Sequence, residues 1–112
     1  HWAWGGASEM ASGDVVWDAR TQRGFLRLHG FVPNDPQRAQ YQLWIFDAAR
    51  DDRYPVDGGV FDVPPGRDEL IVPMHPTLPV LRAVAFAITV EKPGGVVVSG
   101  REKVVAFAQA GS

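Results

Sequence analysis

One stretch of the chain is apolar in both phases of an extended strand: Tyr41-Gln42-Leu43-Trp44-Ile45-Phe46-Asp47. Successive strand side chains point to opposite faces, so Tyr41, Leu43 and Ile45 share one face and Gln42, Trp44 and Phe46 the other. Both faces need cover. Such a segment is a central strand of a small β-fold, or a strand with one face reserved for a partner. It carries no group that does chemistry.

The surrounding composition fits one domain. The chain has 112 residues, of which 46% are apolar. That suffices for a single core in a size range where roughly two-thirds of the unfolded surface is buried on folding. The net charge is −2, with acids and bases interspersed. No basic stripe is present, so nucleic acid is not an expected partner. No apolar run reaches the length of about 18 residues that a membrane-spanning helix needs. Cysteine is absent, which excludes a cysteine nucleophile, a disulfide framework and a thiolate zinc site within these residues. The sequence starts at His1 rather than Met and is read as a fragment or a processed form.

Residues 1–13 mix Trp2 and Trp4 with Gly, Ala and Ser, the composition of a flexible lead-in. Residues 14–112 read as short strands split by turns. Val15-Val16-Trp17 is the first strand and Phe25 to Val32 the second. In the second, Leu26, Leu28 and Val32 are expected on one face, with Phe25, Arg27, His29 and Phe31 on the other. Pro33-Asn34-Asp35-Pro36 ends it, because proline removes ladder donors and Asn-Asp favours turns. The Tyr41 strand follows, then a charged loop from Ala48 to Pro55. A strand from Asp57 to Val63 precedes Pro64-Pro65-Gly66, a type II turn signature that predicts a hairpin with residues 69–73. The segment His75 to Arg82 is predicted to hold a single helical turn between its prolines. Ala83 to Glu91 alternates, with Val84, Phe86, Ile88 and Val90 in one row and Ala83, Ala85, Ala87, Thr89 and Glu91 in the other. Lys92-Pro93-Gly94-Gly95 is a second Pro-Gly turn. Val96 to Val98 starts back, and Glu102 to Ala108 is the last strand. Turns about every ten residues predict an antiparallel β-sandwich, Ig-like or related, of about seven to eight short strands.

Three patches in order resemble the C-terminal domain of the anti-sigma-K factor family: Tyr41-Gln42-Leu43-Trp44-Ile45, Gly58-Gly59-Val60-Phe61, and Ala83 through Thr89, Val90, Glu91 and Lys92 to Pro93-Gly94-Gly95. The resemblance spans residues 13 to 107. Its signature positions here are Tyr41, Gln42, Leu43, Trp44, Gly59, Phe61, Thr89, Glu91, Pro93, Gly94 and Gly95, and they are read as structural. The chain departs from the family pattern at Val98-Ser99-Gly100, where the family continues with Pro-Thr-Gly, and residues 1–12 match nothing in it. The resemblance implies a parent protein with a zinc-binding anti-sigma domain and one transmembrane helix ahead of this domain, which would then lie outside the membrane. It implies that the sigma factor is bound by that missing N-terminal part, and that a protease acting on the parent releases it.

Other constellations were weighed on their residues. His1, His29 and His75 raise copper chelation at a free N-terminus, against a bland reading of His1 as a cleavage leftover; no close His pair supports a metal. Asp47, Asp51, Asp52 and Asp57 surround one loop, but the EF-hand spacing is absent and a solvated acidic loop balanced by Arg50 and Arg53 is favoured. Glu91 and Glu102 raise an acid/base pair, against a bland reading of Glu91 as a strand-end carboxylate that accepts backbone N–H bonds before the turn. Thr89 and Glu91 are better placed to pin the Pro-Gly turn by hydrogen bonding. Ser99 has no histidine nearby in sequence and reads as a turn residue. Among the tryptophans, Trp17 and Trp44 are expected in the core. Trp2 and Trp4 are the ones that could stack on a sugar.

The expected core is Trp17, Leu26, Leu28, Leu43, Ile45, Phe61, Leu70, Val72, Val84, Phe86, Ile88, Val90, Val105 and Phe107. The expected function is a non-enzymatic extracytoplasmic sensory or regulatory domain of a membrane-anchored anti-sigma factor, with no cofactor. The alternative is a secreted or periplasmic module that binds a glycan or another small ligand. An open sheet edge or an apolar strand face offers a route to a homodimer.

Overall fold

The computed structural model describes residues 2–3, 5–6, 12–97 and 103–109, with backbone alone for the first four. Nine strands follow in chain order: β1 (Trp2–Ala3), β2 (Gly5–Gly6), β3 (Ser12–Asp18), β4 (Arg23–His29), β5 (Gln40–Asp47), β6 (Val56–Phe61), β7 (Glu69–Pro73), β8 (Ala83–Glu91) and β9 (Val104–Gln109). No helix is present among the described residues. Every pairing is antiparallel. One sheet has the order β1-β3-β4-β7 and the other β2-β9-β8-β5-β6. The chain is an all-β sandwich, and β5 lies inside the larger sheet between β8 and β6.

The core forms where the inward rows of the two sheets meet. Val15, Leu26 and Leu28 come from the smaller sheet; Leu43, Ile45, Phe86 and Ile88 come from the larger, and all are buried. Burying such aliphatic and aromatic side chains contributes about 1.5–3 kcal/mol each. Aromatic rings close one end: Tyr41 stacks on Phe61 with centroids 5.5 Å apart and meets the edge of Phe31 at 6.2 Å. Trp17, Leu70, Val72, Val90 and Val105 pack against the core from partly buried positions.

The structure corrects the expected core at two positions. Val84 lines a groove on the outer face and Phe107 is 41% exposed. Val84 is the extra residue at the register shift between Phe46 and Asp47, and Phe107 lies two residues past Val105, the extra residue at the shift between Ile88 and Thr89. A bulge adds one residue and reverses the inward phase beyond it. Ala83 therefore packs on the core instead of Val84. In β9, Ala106 and Ala108 turn inward opposite Ile88 and Phe86. Small residues suit those positions, because the large partners already fill the space between the sheets.

Three local expectations change as well. Phe31 is buried and Val32 is 69% exposed, the reverse of simple alternation, because Gly30 takes φ +72° and turns the chain over. Residues 64–66 do not join a hairpin: β6 pairs with β5 and β7 with β4, in different sheets. Asn34 captures the chain after Phe61, exchanging its backbone N–H and side-chain oxygen with Val63, and the chain then crosses to the smaller sheet. Residues 75–82 hold no helical turn. Their N–H groups go to partners outside the segment, His75 to Gly58 O and Thr77 to Asp57 O among them. Residues 96–97 are not strand, and Val98 lies outside the described residues.

The inverted phase of β9 gives a stability prediction. Ile88→Ala should cost about 2–5 kcal/mol, whereas Phe107→Ala should cost about 1 kcal/mol, the scale of one aromatic pair. Urea denaturation of the two variants measures the difference.

Candidate functional site

The outward side chains of β5 are covered as closely as the inward ones. Gln42 is 1% exposed and Trp44 0%. The Gln42 amide behaves like a short piece of strand: its Nε2 donates to Val96 O at 3.0 Å, and its Oε1 accepts from Val96 N at 3.0 Å. Gln40 Oε1 accepts from Gly94 N at 2.8 Å. The turn closes on itself through Gly95 N donating to Lys92 O at 2.9 Å. Gly95 has φ +79°, and a Cβ there would meet Val60 Cγ2 at 2.7 Å and Gln42 Oε1 at 2.8 Å. Only glycine combines that backbone with that approach. The connection after β8 is thus folded down onto the outer face of the larger sheet.

Trp44 is held from the neighbouring strand. Its Nε1–H donates to Thr89 Oγ1 at 2.9 Å, and the Thr89 hydroxyl donates to Glu91 Oε2 at 2.7 Å. Thr89 is fully buried, so its hydroxyl accepts from the indole N–H while donating its own hydrogen bond to the carboxylate.

The structure therefore divides the signature residues between two faces of β5. Gln42, Trp44, Thr89, Glu91, Pro93, Gly94 and Gly95 gather on the outer face and at the turn. Tyr41, Leu43 and Phe61 are on the inner face, with the Tyr41 hydroxyl donating to Val32 O at 2.6 Å. Burial raises the Tyr41 pKa. Gly59 sits beside them at φ +113°, its N–H donating to Asp57 Oδ1.

Next to this arrangement lies an apolar surface groove of about 460 Å³ lined by Phe46, Asp52, Val84, Ala85, Ala87, Val104 and Phe107. Phe46 and Phe107 meet edge to face with centroids 6.2 Å apart. The groove has an aromatic wall but brings no set of polar groups to a common point.

The remaining candidates do not converge. His29 and His75 are both exposed, and no group of three or more metal-ligating side chains occurs among the described residues. The four aspartates split their roles. Asp51 pairs with Arg53 at 2.7 Å and Asp57 caps Gly59. Asp52 lines the groove. Asp47, with its side chain fully buried, accepts from Ala49 N at 3.0 Å, Leu81 N at 2.8 Å and Arg82 N at 3.0 Å. His1, Trp4, Ser99, Gly100 and Glu102 lie outside the described residues, and Trp2 is described by its backbone alone. Trp17 is partly buried, and its Nε1 has no hydrogen-bond partner among the described residues.

Sequence reasoning missed three fastenings. Gln22 grips Val80 as Gln42 grips Val96, donating from Nε2 to Val80 O at 2.8 Å and accepting Val80 N at 2.7 Å. Asn34 and Asp47 are the others. Their signals were a polar residue at a strand end or turn within an apolar context, which also describes many solvated side chains.

The sequence profile of the family described as "Anti-sigma-K factor rskA, C-terminal" matches residues 5–100, which takes in residues 5–12 that the sequence reading left outside the family pattern, and the chain belongs to that family. No match was found among curated proteins or among solved structures. The family is generally non-enzymatic and membrane-associated, with a regulatory anti-sigma role that implies a sigma factor as partner. No helix among the described residues is long and apolar enough to cross a membrane.

Two predictions follow from the fastenings. Thr89→Val should cost about 1–3 kcal/mol, because it leaves a buried indole N–H unpaired. Trp44→Ala should cost about 3–5 kcal/mol. A double-mutant cycle of Thr89→Val with Trp44→Phe should show coupling; additive denaturation energies would refute the bond between them. The second concerns Asp47. Burial works to raise its pKa, but three backbone N–H groups and the Arg50 guanidinium outweigh it and hold the carboxyl below its ordinary range. Its stabilising contribution is complete above the unfolded value of about 3.9 and is lost as pH falls through the lower folded value. Asp47→Asn should be less stable at neutral pH and should lose less stability on acidification, as read from urea midpoints across that window.

Proposed function

We propose that this chain is a non-enzymatic extracytoplasmic sensory or regulatory domain of a membrane-anchored anti-sigma factor. In this reading a domain upstream of the chain binds the sigma factor, a transmembrane helix lies between the two, and the folded state of the sandwich governs proteolysis of the parent. Release of the sigma factor is the output.

The observation that supports it is the use made of the signature residues. Gln42, Trp44, Thr89 and Glu91 spend their hydrogen-bonding groups on one another or on the 92–96 turn. They fasten the fold, and no group of three or more metal-ligating side chains forms among the described residues. A domain built this way transmits its intactness rather than a reaction. The two tryptophans with described side chains, Trp17 and Trp44, are partly and fully buried, so they do not offer a sugar-stacking platform.

Placement is tested by labelling. The chain has no cysteine, so Val32→Cys gives the domain a single exposed thiol. In intact cells expressing the parent protein, a membrane-impermeant maleimide should label it; protection until lysis would refute extracytoplasmic placement. The regulatory step is tested with Trp44→Ala in the parent. It should alter both the amount of intact parent on an immunoblot and transcription from a sigma-dependent promoter. A destabilised domain with both readouts unchanged would overturn the proposal.

A further inference from the structure

Three connecting segments meet at one end of the sandwich. The turn at 19–22, the loop at 48–55 and the segment 76–82 all lie there, because they leave β3, leave β5 and lead into β8. Two independent fastenings hold the 76–82 segment in place. The Gln22 amide takes both backbone groups of Val80. The Asp47 carboxylate takes the N–H groups of Leu81 and Arg82. Arg50 adds a bond to Pro79 O at 3.4 Å. Two prolines, Pro76 and Pro79, stiffen the segment further.

This fixed segment displays apolar side chains outward. Leu81 is 73% exposed and Leu78 48%. A shallow groove of about 270 Å³ runs beside them, lined by Gln22, Pro76, Thr77, Leu78 and Pro79. Three exposed arginines, Arg20, Arg23 and Arg82, belong to the same end and have no ion pair among the described residues; the exposed Asp18, Asp51 and Asp52 belong to it too, Asp51 being paired with Arg53. Holding two leucines in water on a doubly pinned loop, with three arginines outside any ion pair at the same end, is an arrangement suited to the interfacial zone of a membrane. Apolar side chains can enter the acyl boundary there while guanidinium groups meet anionic headgroups.

The strand order says how this end is oriented. Trp2 pairs with Val15 and Ala3 with Asp14. β1 therefore runs away from the 19–22 turn, and the chain comes into β1 from the side of that turn. In a protein tethered upstream, the direction of β1 puts its entry on the side of the 19–22, 48–55 and 76–82 end.

We infer that this end of the sandwich docks on the lipid bilayer, with Leu78 and Leu81 at the interface and Arg20, Arg23 and Arg82 against anionic headgroups. The inference rests on the membrane-anchored reading above. Docking would fix the domain's orientation relative to the membrane, and it would shield the upstream connection.

The test uses the 112-residue chain with an N-terminal histidine tag, tethered to vesicles that contain a nickel-chelating lipid. Leu78→Cys and Leu81→Cys variants carry a nitrobenzoxadiazole label, and Val32→Cys, at the opposite end, is the control. On vesicles containing phosphatidylglycerol, labels at positions 78 and 81 should shift to shorter wavelength and be quenched by brominated acyl chains. The label at position 32 should keep its solution spectrum. Replacing all three arginines by glutamine, or removing phosphatidylglycerol, should reduce the shift. Solution-like spectra at 78 and 81, or an equal response at 32, would overturn the docking. A shift indifferent to phosphatidylglycerol would overturn the role of the arginines. Because the tether is supplied chemically, a negative result leaves the anchored reading standing; that reading fails separately, in the intact-cell labelling.

Discussion

An amide buried on the outside of a sheet is costly unless both its donor and its acceptor are used. Gln42 meets that condition through one residue, Val96, whose N–H and C=O it takes together. Much of the larger sheet depends on this grip. It brings the turn after β8 down onto β5, where Gly95 fits within contact distance of Gln42 and Val60. On the same face, Trp44 is fully buried and bonded to Thr89. The inner core is conventional in comparison. Leu43, Ile45, Phe86 and Ile88 would find partners in many sandwiches, whereas Gln42 needs a particular backbone presented at a particular distance.

The pattern of the sequence carried much of the fold. The bounds of β8 and the double burial of β5 follow directly from apolar residues in an extended phase. So does the choice of an antiparallel sandwich, because short strands, frequent turns and the absence of long helical periodicity leave few alternatives. What escaped was mostly set by single residues acting on phase. Gly30 inverts Phe31 and Val32, and two register shifts in the larger sheet invert Val84 and Phe107. Alternation cannot register such events, since it assumes one residue per step on both strands. The crossing between β6 and β7 escaped for a different reason. A Pro-Gly turn specifies a reversal of the chain but not which strands it will pair.

The candidate site was legible in part. Gln42, Trp44, Thr89, Glu91 and the Pro-Gly-Gly turn stood out through the family resemblance, but Thr89 and Glu91, expected to pin the turn, bond Trp44 and each other, while Gln40 and Gln42 hold the turn. Their convergence was not foreseen, because it depends on β5 and β8 being neighbours in one register, with Gln42 opposite Thr89 and Trp44 opposite Ala87. Gln22 and Asp47 drew no notice as fastenings. Each acts on backbone more than thirty residues away, at Val80 and at Leu81, and a side chain that bonds distant backbone leaves no local pattern.

The first few residues have a mechanical meaning. β1 is joined to the smaller sheet and β2 to the larger, so one short length of chain stitches the two layers together. Antiparallel ladder bonds lie perpendicular to the strands, so a pull along the axis of β1 acts across them. Tension applied along that axis would load the β1–β3 bonds side by side, in shear, rather than opening them one after another like a zip. Such a seam resists small tension as a unit and gives way as a unit, and the next bonds to bear the load are those between Gly5–Gly6 and β9. The two layers would then lose their shared thread in two discrete steps.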